Sequence, residues 1–114
     1  MSISRRIKNS ELNKLIYTAP SSVHGIGVFA KKRLTEGEYI GTYHGPEAKR
    51  NGTYVLWVFE NNEEESAVGR SGTNFLRFLN HATPGNAEFD GFDLYALEDI
   101  AIDEEITFDY QSDV

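Results

Sequence analysis

Short apolar runs, separated by turns rich in glycine, proline and charge, recur along the whole chain. This pattern predicts many short strands and little helix, and so several small sheets rather than one doubly wound sheet. Residues 53–59 are apolar on both faces, so we expect that strand to lie inside, with Trp57 in the core. Residues 1–13 are polar and predict a loosely docked arm. Strands are predicted over residues 14–18, from Val28, and over 39–45, 53–59, 87–89, 93–97 and 106–110.

The stretch 73–86 joins an apolar run to a polar turn. Residues 75–79 carry apolar side chains at mixed spacings, which predicts one short buried turn, and residues 83–86 read Thr-Pro-Gly-Asn, a breaker. Asn80 and His81 therefore lie where regular structure ends, and polar residues held on a loop beside a rigid base are typical of binding sites. A capped helix end with a hydrogen-bonded Asn80–His81 pair is the structural alternative.

A weak internal repeat relates residues 28–40 to residues 94–106. Both copies read as strand, turn and strand, with Gly37 and Asp103 at the same turn position. Glycine adopts a left-handed conformation freely, and aspartate tolerates one better than most residues. The repeat predicts two similar small hairpin units.

Composition narrows the class of function. The chain has 114 residues, enough for a single domain over 1–114, and a net charge of -7 from 11 basic and 18 acidic side chains. This balance argues against nucleic-acid binding and is compatible with a basic protein or peptide partner. No apolar run approaches the ~20 residues of a membrane-spanning helix, and no secretory signal is visible, so we expect an intracellular protein without membrane contact.

Metal chemistry is not expected. The chain has no cysteine, which excludes disulfides and cysteine-ligated zinc. His24, His44 and His81 lie far apart and lack the spacing of metal ligands.

Four motifs occur in order along the chain. They are residues 22–30 (Ser-Val-His-Gly-Ile-Gly-Val-Phe-Ala), residues 43–45 (Tyr-His-Gly), residues 73–81 followed by Asn86, and residues 103–110 (Asp-Glu-Glu-Ile-Thr-Phe-Asp-Tyr). In these motifs the chain resembles the SET-domain protein lysine methyltransferases over about residues 15–110. The resemblance implies a mainly β fold with short helices, made of several small sheets with a C-terminal pseudoknot. In that knot the last strand passes beneath a loop formed around Asn80.

The resemblance also implies a cofactor, S-adenosylmethionine. Backbone around Ile26 and Gly27, together with Asn80 and His81, would hold it. Only four residues follow Tyr110, whereas relatives carry a further segment that covers this site. We therefore expect either a second protomer, in a homodimer, or the acidic loop over residues 60–66 to complete it.

Three aromatic residues would serve the substrate lysine. By resemblance Tyr110 is the catalytic tyrosine, Tyr43 places a second hydroxyl at the lysine pocket, and Phe108 controls how many methyl groups fit. A phenylalanine at that position leaves space beside the amine, which predicts di- or trimethylation. The substrate would be a basic protein tail, histone or histone-like, and the enzyme cytoplasmic or, in a eukaryotic cell, nuclear.

A second class of function stays open. A SET-like module could bind basic peptides without turnover, and the short C-terminal segment favours this alternative. Arg77 is expected to be structural. Glu104 and Glu105 are read as solvated residues of a turn and a strand edge rather than as an acid–base pair.

Overall fold

The computed structural model describes residues 9–52, 54–59 and 67–109. Within these ranges the chain forms a short helix, α1 (Asn9–Leu15), and a 3-10 helix, Phe75–Phe78. The strands are β1 (Ile16–Pro20), β2 (Ile26–Ala30), β3 (Tyr39–Thr42), β4 (Glu47–Ala48), β5 (Val55–Phe59), β6 (Ala67–Ser71), β7 (Asn80–His81), β8 (Ala87–Asp90), β9 (Asp93–Ala96) and β10 (Glu105–Phe108).

The strands form two sheets. The larger follows the order β1-β2-β10-β8-β9-β3, with β7 also paired to β10, and the smaller follows β4-β6-β5. The predicted mainly β architecture with short helices and small sheets is confirmed. Within the part of the chain that the structure describes, no helix is long and apolar enough to cross a membrane.

Helix α1 corrects the prediction of a loose arm over residues 1–13, in the part that the structure describes. Leu12 is fully buried, as is Ile16 at the start of β1, and Leu15 packs against the same core. These residues stand three and four apart, so one helical turn brings them to one face. The predicted strand over 14–18 accordingly begins two residues later, and its register pairs Ile16 with Ala30 of β2.

The turn conformation that the repeat predicts is confirmed, but the two units are not hairpins. Strand β2 pairs with β1 and β10 rather than with β3, and β9 pairs with β8 and β3 rather than with β10. Gly37 and Asp103 both have positive φ, 83° and 66°. The two units meet at an isolated bridge, where Leu34 N–H donates to Ile100 O at 2.9 Å and Ile100 N–H donates to Leu34 O at 2.8 Å. The Tyr17 hydroxyl donates to Asp103 Oδ1 at 2.8 Å, and this bond raises the pKa of Tyr17 above its usual value.

The expected interior position of residues 53–59 is wrong. Strand β5 lies at the edge of the smaller sheet; Leu56 is buried, but Trp57 and Val58 are only half-buried. The Trp57 ring lies over Gly69, where a Cβ atom would come within 2.8 Å of it. Strand β6 was not predicted, because partners on both sides, rather than its own composition, place it in the sheet.

Strand β10 is enclosed on several sides. It pairs antiparallel with β2 and parallel with both β7 and β8. Asn86, 8% exposed, clamps it: Asn86 Nδ2 donates to Glu105 O at 2.8 Å, and Thr107 N–H donates to Asn86 Oδ1 at 2.9 Å. The implied pseudoknot therefore takes the form of a strand held beneath residues 80–86.

Gly85 provides a test of this enclosure. A Cβ atom there would lie 2.6 Å from Phe108 Cα and 2.7 Å from Asp109 N, so Gly85→Ala has to displace the backbone of β10. We expect the free energy of unfolding to fall by roughly 1–3 kcal/mol, measured by urea denaturation. Gly52→Ala is the control, because its Cβ atom would meet only Val55 Cγ2 at 3.5 Å. Equal stabilities of the two variants would contradict the close approach.

Candidate active site

Asn80 lies on β7, beside the loop of residues 21–27 that carries Gly25 and Gly27 and leads into β2. We call this segment the glycine loop. The register partner of Asn80 on β10 is Thr107. Asn80 Nδ2 donates to His24 O at 2.9 Å and to Glu105 Oε2 at 2.9 Å. The structure thus brings together one residue of the third motif, the loop of the first motif and the strand of the fourth.

Gly27 and Ile26 lie at the other side of this junction. Gly27 is buried, and a Cβ atom on it would come within 2.4 Å of Glu105 Oε2 and 3.0 Å of Ser21 Cβ. No other residue fits Gly27 without moving the carboxylate. Ile26, the residue before Gly27, is 49% exposed.

His81 follows Asn80 on β7 and is paired in register with Phe108. Its side chain is exposed, with Nε2 3.3 Å from Thr83 Oγ1. The Asn80 side-chain nitrogen donates to the His24 carbonyl and to the Glu105 carboxylate rather than to His81. The hydrogen-bonded Asn80–His81 pair left open by the sequence is therefore not what holds the Asn80 amide.

The sequence predicted Glu105 to be a solvated residue at a strand edge, and the structure shows that this prediction is wrong. Ser21 Oγ donates to its carboxylate at 2.7 and 2.8 Å, and Asn80 Nδ2 donates at 2.9 Å. Glu104 behaves as predicted, because it accepts only a turn bond from Ala101 N–H at 2.9 Å. Sequence reasoning missed Glu105 because its partners lie 25 and 84 residues away.

A second feature is a small aromatic cavity of about 80 Å³. The rings of Tyr43 and Phe108 both contact Phe89 edge-on, at centroid distances of 5.9 and 5.3 Å. Tyr54, 42% exposed, packs edge-on to Phe78 at 5.9 Å and lies where the cavity meets solvent. The cavity is lined by Tyr43, Tyr54, Val55, Leu56, Leu76, Arg77, Leu79, Phe89 and Phe108.

Tyr43 is fixed at both its backbone and its hydroxyl. Its N–H donates to Phe92 O at 2.7 Å, and its carbonyl accepts from Arg70 Nη1 at 2.9 Å. The hydroxyl donates to Tyr54 O. Arg70 is itself held over the Phe92 ring, 4.1 Å from its centroid. The side chain is 5% exposed, so Tyr43 is a rigid wall of the cavity.

Arg77 is structural, as predicted, but it also lines the cavity. Its Nη1 donates to Thr73 O at 2.7 Å and to Asn74 O at 3.1 Å. Its guanidinium lies 4.3 Å from the centroid of the Phe78 ring. These contacts fix the guanidinium beside Phe78, and Arg77 is one of the residues that line the cavity.

Tyr110, the predicted catalytic tyrosine, lies outside the described residues. The strand that leads to it ends at Phe108, whose register partner is His81. Of the predicted site residues, the structure therefore joins Tyr43 and Phe108 in the cavity and Asn80 and Gly27 at the glycine loop. Phe108 lies three residues from Glu105, roughly 10 Å along a strand.

Known proteins resemble the chain in both sequence and fold. The model of the SET domain family matches residues 25–111. A Plasmodium falciparum protein named as a histone-lysine N-methyltransferase is 31% identical over 94% of this chain, which covers 2% of that protein. An Aspergillus fumigatus histone-lysine N-methyltransferase, H3 lysine-4 specific, is 28% identical over 86% of this chain and 10% of that protein.

Among solved structures, the methyltransferase domain of human histone-lysine N-methyltransferase SETMAR matches with a TM-score of 0.71. The identity is 20%, and the match covers 83% of this chain and 44% of that one. This likeness shows the fold. The chain spans only a small part of the length of the curated relatives it matches, 2% and 10% in these two cases.

The packing of Gly72 against Tyr43 gives a test of whether the Tyr43 ring is held rigidly in the cavity wall. A Cβ atom on Gly72 would lie 2.5 Å from Tyr43 Oη and 2.6 Å from Cζ. We expect Gly72→Ala to lower the free energy of unfolding by roughly 1–3 kcal/mol in the wild-type background. In a Tyr43→Ala background the same change should be clearly less destabilising, because the ring is gone and only Arg77 Cβ, 2.9 Å from the added Cβ atom, still has to move. Equal effects in the two backgrounds, measured by urea denaturation, would show that the ring yields freely.

Proposed function

The chain belongs to the SET domain family, and we propose that it is an S-adenosylmethionine-dependent protein-lysine N-methyltransferase. The observation that carries the proposal is the position of strand β10. It contributes Glu105 to the junction of Asn80 with the glycine loop, and Phe108 to the aromatic cavity. A cofactor site and a lysine channel would then meet along one strand, as methyl transfer between two bound molecules requires.

The junction fits the proposed cofactor. Gly27 lets the Glu105 carboxylate lie against the loop backbone, Ile26 offers an exposed apolar side chain, and Asn80 keeps its amide oxygen for a ligand. His81, exposed on β7, completes the set of proposed contacts. S-adenosylmethionine supplies a methyl group on a sulfonium. The chain supplies the contacts that would orient it.

The cavity suits a lysine side chain that has to lose its proton. Lysine has a pKa near ~10.4, and transfer needs the neutral amine. Burial among the rings of Tyr43, Phe89 and Phe108 disfavours the charged form, and the nearby Arg77 guanidinium adds like-charge repulsion. Aromatic faces then suit the cationic methylated product. Among the described residues that line the cavity there is no carboxylate to retain the proton.

A basic protein tail is the proposed substrate. The net charge of -7 attracts basic segments over a longer range than any single contact. The Aspergillus fumigatus relative is named for lysine 4 of H3, and by analogy we propose a histone or histone-like tail. The decisive assay incubates the protein with labelled S-adenosylmethionine and mixed basic proteins and measures methyl-lysine. Tight peptide binding with no methyl-lysine would favour the binding module instead.

Tyr110→Phe tests the proposed catalytic tyrosine. Its hydroxyl is assigned to the alignment of amine and methyl, an effect realised mainly in the transition state. We expect kcat to fall about 10²-fold, while the cofactor dissociation constant stays nearly unchanged. Tyr95→Phe is the matched control, because Tyr95 contacts Tyr39 where β9 pairs with β3 and does not line the cavity. A Tyr110→Phe enzyme with wild-type kcat would remove Tyr110 from the mechanism.

Phe108→Tyr tests the proposed control of methyl number. Phe108 lines the cavity without a polar atom, so a methylated amine could rotate there for another transfer. An added hydroxyl should fill that space and hydrogen-bond the amine, so the product should stop at an earlier stage with a similar first-step rate. Mass spectrometry of a lysine peptide run to completion measures this. Wild-type arrest at one methyl group would show that Phe108 does not leave the required space.

A further inference from the structure

A chain of hydrogen bonds runs from the glycine loop through Glu105 to Asn80. Val23 N–H donates to Ser21 Oγ at 2.9 Å, and Ser21 Oγ donates to both oxygens of Glu105 at 2.7 and 2.8 Å. Asn80 Nδ2 donates to Glu105 Oε2 at 2.9 Å. Three segments far apart in sequence therefore share one carboxylate.

For every hydrogen bond in this series, the donor and the acceptor are determined. The Ser21 hydroxyl accepts from a backbone N–H, so its own proton is free to go only to Glu105. The Glu105 carboxylate accepts from both Ser21 Oγ and Asn80 Nδ2. Rotation of the Ser21 hydroxyl cannot reverse these bonds, because the Val23 N–H that bonds to its oxygen can only donate.

The orientation of the Asn80 amide is also fixed by the type of its hydrogen-bond partners. Its two neighbours, the His24 carbonyl at 2.9 Å and the Glu105 carboxylate at 2.9 Å, can only accept. Both therefore require the Nδ2 group, and a flipped amide would place oxygen against oxygen at both contacts. Asn80 Oδ1 is left facing away from them, and no residue in the described ranges donates to it.

We propose that Glu105 is a positioning residue that fixes the Asn80 amide so that its oxygen accepts an N–H donor of the cofactor. This inference rests on the proposed function, because it concerns the same cofactor site. S-adenosylmethionine carries two such donors, the α-ammonium and the adenine amine. The Glu105 charge lies one hydrogen bond behind the amide, which strengthens its preference for a donor in front.

Glu105→Gln is the informative change. A glutamine has one acceptor oxygen and one NH₂ group in place of two acceptor oxygens. It cannot accept from Ser21 and Asn80 through separate oxygens, and its NH₂ group favours a flipped Asn80 amide. Glu104→Gln is the matched control, because the adjacent carboxylate accepts only from Ala101 N–H and is exposed.

Calorimetry with two ligands measures the effect on the site. S-adenosylhomocysteine carries both donors, whereas 5′-methylthioadenosine lacks the ammonium. If the ammonium is the donor, Glu105→Gln should weaken S-adenosylhomocysteine about tenfold and leave methylthioadenosine unchanged. If the adenine amine is the donor, both ligands should weaken about tenfold. Unchanged binding of both, or equal losses in Glu104→Gln, would overturn the positioning role.

A second measurement needs no ligand. Urea denaturation of Glu105→Gln, Asn80→Ala and the double variant gives the coupling between the two side chains. We expect Glu105→Gln to reduce the folding equilibrium constant about tenfold alone, and clearly less when Asn80 is already alanine. Additive losses of stability in the double variant would show that Glu105 does not hold Asn80. If the wild type binds neither ligand, the proposed cofactor site fails, and this cycle still decides whether Glu105 holds Asn80.

Discussion

The enclosure of strand β10 is the constraint on which the rest of the structure depends. Its backbone is used by β2 on one side and by β7 and β8 on the other, and the Asn86 amide satisfies both an N–H and a carbonyl of the strand. Buried backbone groups left without partners would each destabilise the fold by about 1–3 kcal/mol. The strand therefore cannot shift by one residue without breaking bonds to three neighbours, and its side chains are held at fixed positions.

That fixed register explains how one strand serves two purposes. Successive side chains of a strand point to opposite faces, so Glu105 and Phe108 project to different sides of β10. Glu105 meets Ser21 and Asn80, and Phe108 meets Phe89 in the cavity wall. The proposed cofactor junction and the proposed lysine cavity thus lie on opposite faces of β10, three residues apart along the strand.

Local chemistry accounts for what the sequence predicted. Left-handed turns at Gly37 and Asp103 and the short buried turn before Asn80 depend on neighbouring residues alone. The motifs also indicated Tyr43, Phe108, Asn80 and Gly27, whose side chains or backbone the structure brings together in two adjacent groups. The family pattern, rather than periodicity, identified those four, and the role of Tyr110 stays a prediction from resemblance.

What was missed depends on distant partners. Helix α1 is stabilised by burial of Leu12, and the edge position of β5 follows from β6, a strand whose Gly69 and Arg70 give no strong signal of their own. Glu105 looked like a surface carboxylate because acidic residues near turns usually are exposed. Its contacts with Ser21 and Asn80 exist only because β10 passes beneath the loop.

Charge acts at two distances in the proposed reaction. At long range the net charge of -7 favours approach of a basic tail, an effect that salt screens over ~8–10 Å. Inside the cavity the sign is reversed, because Arg77 lies in the wall and the described lining residues include no carboxylate. A protonated amine is therefore attracted to the protein and then disfavoured at the end of the channel. Such an arrangement favours release of the proton where the neutral amine is needed, which an acidic cavity would prevent.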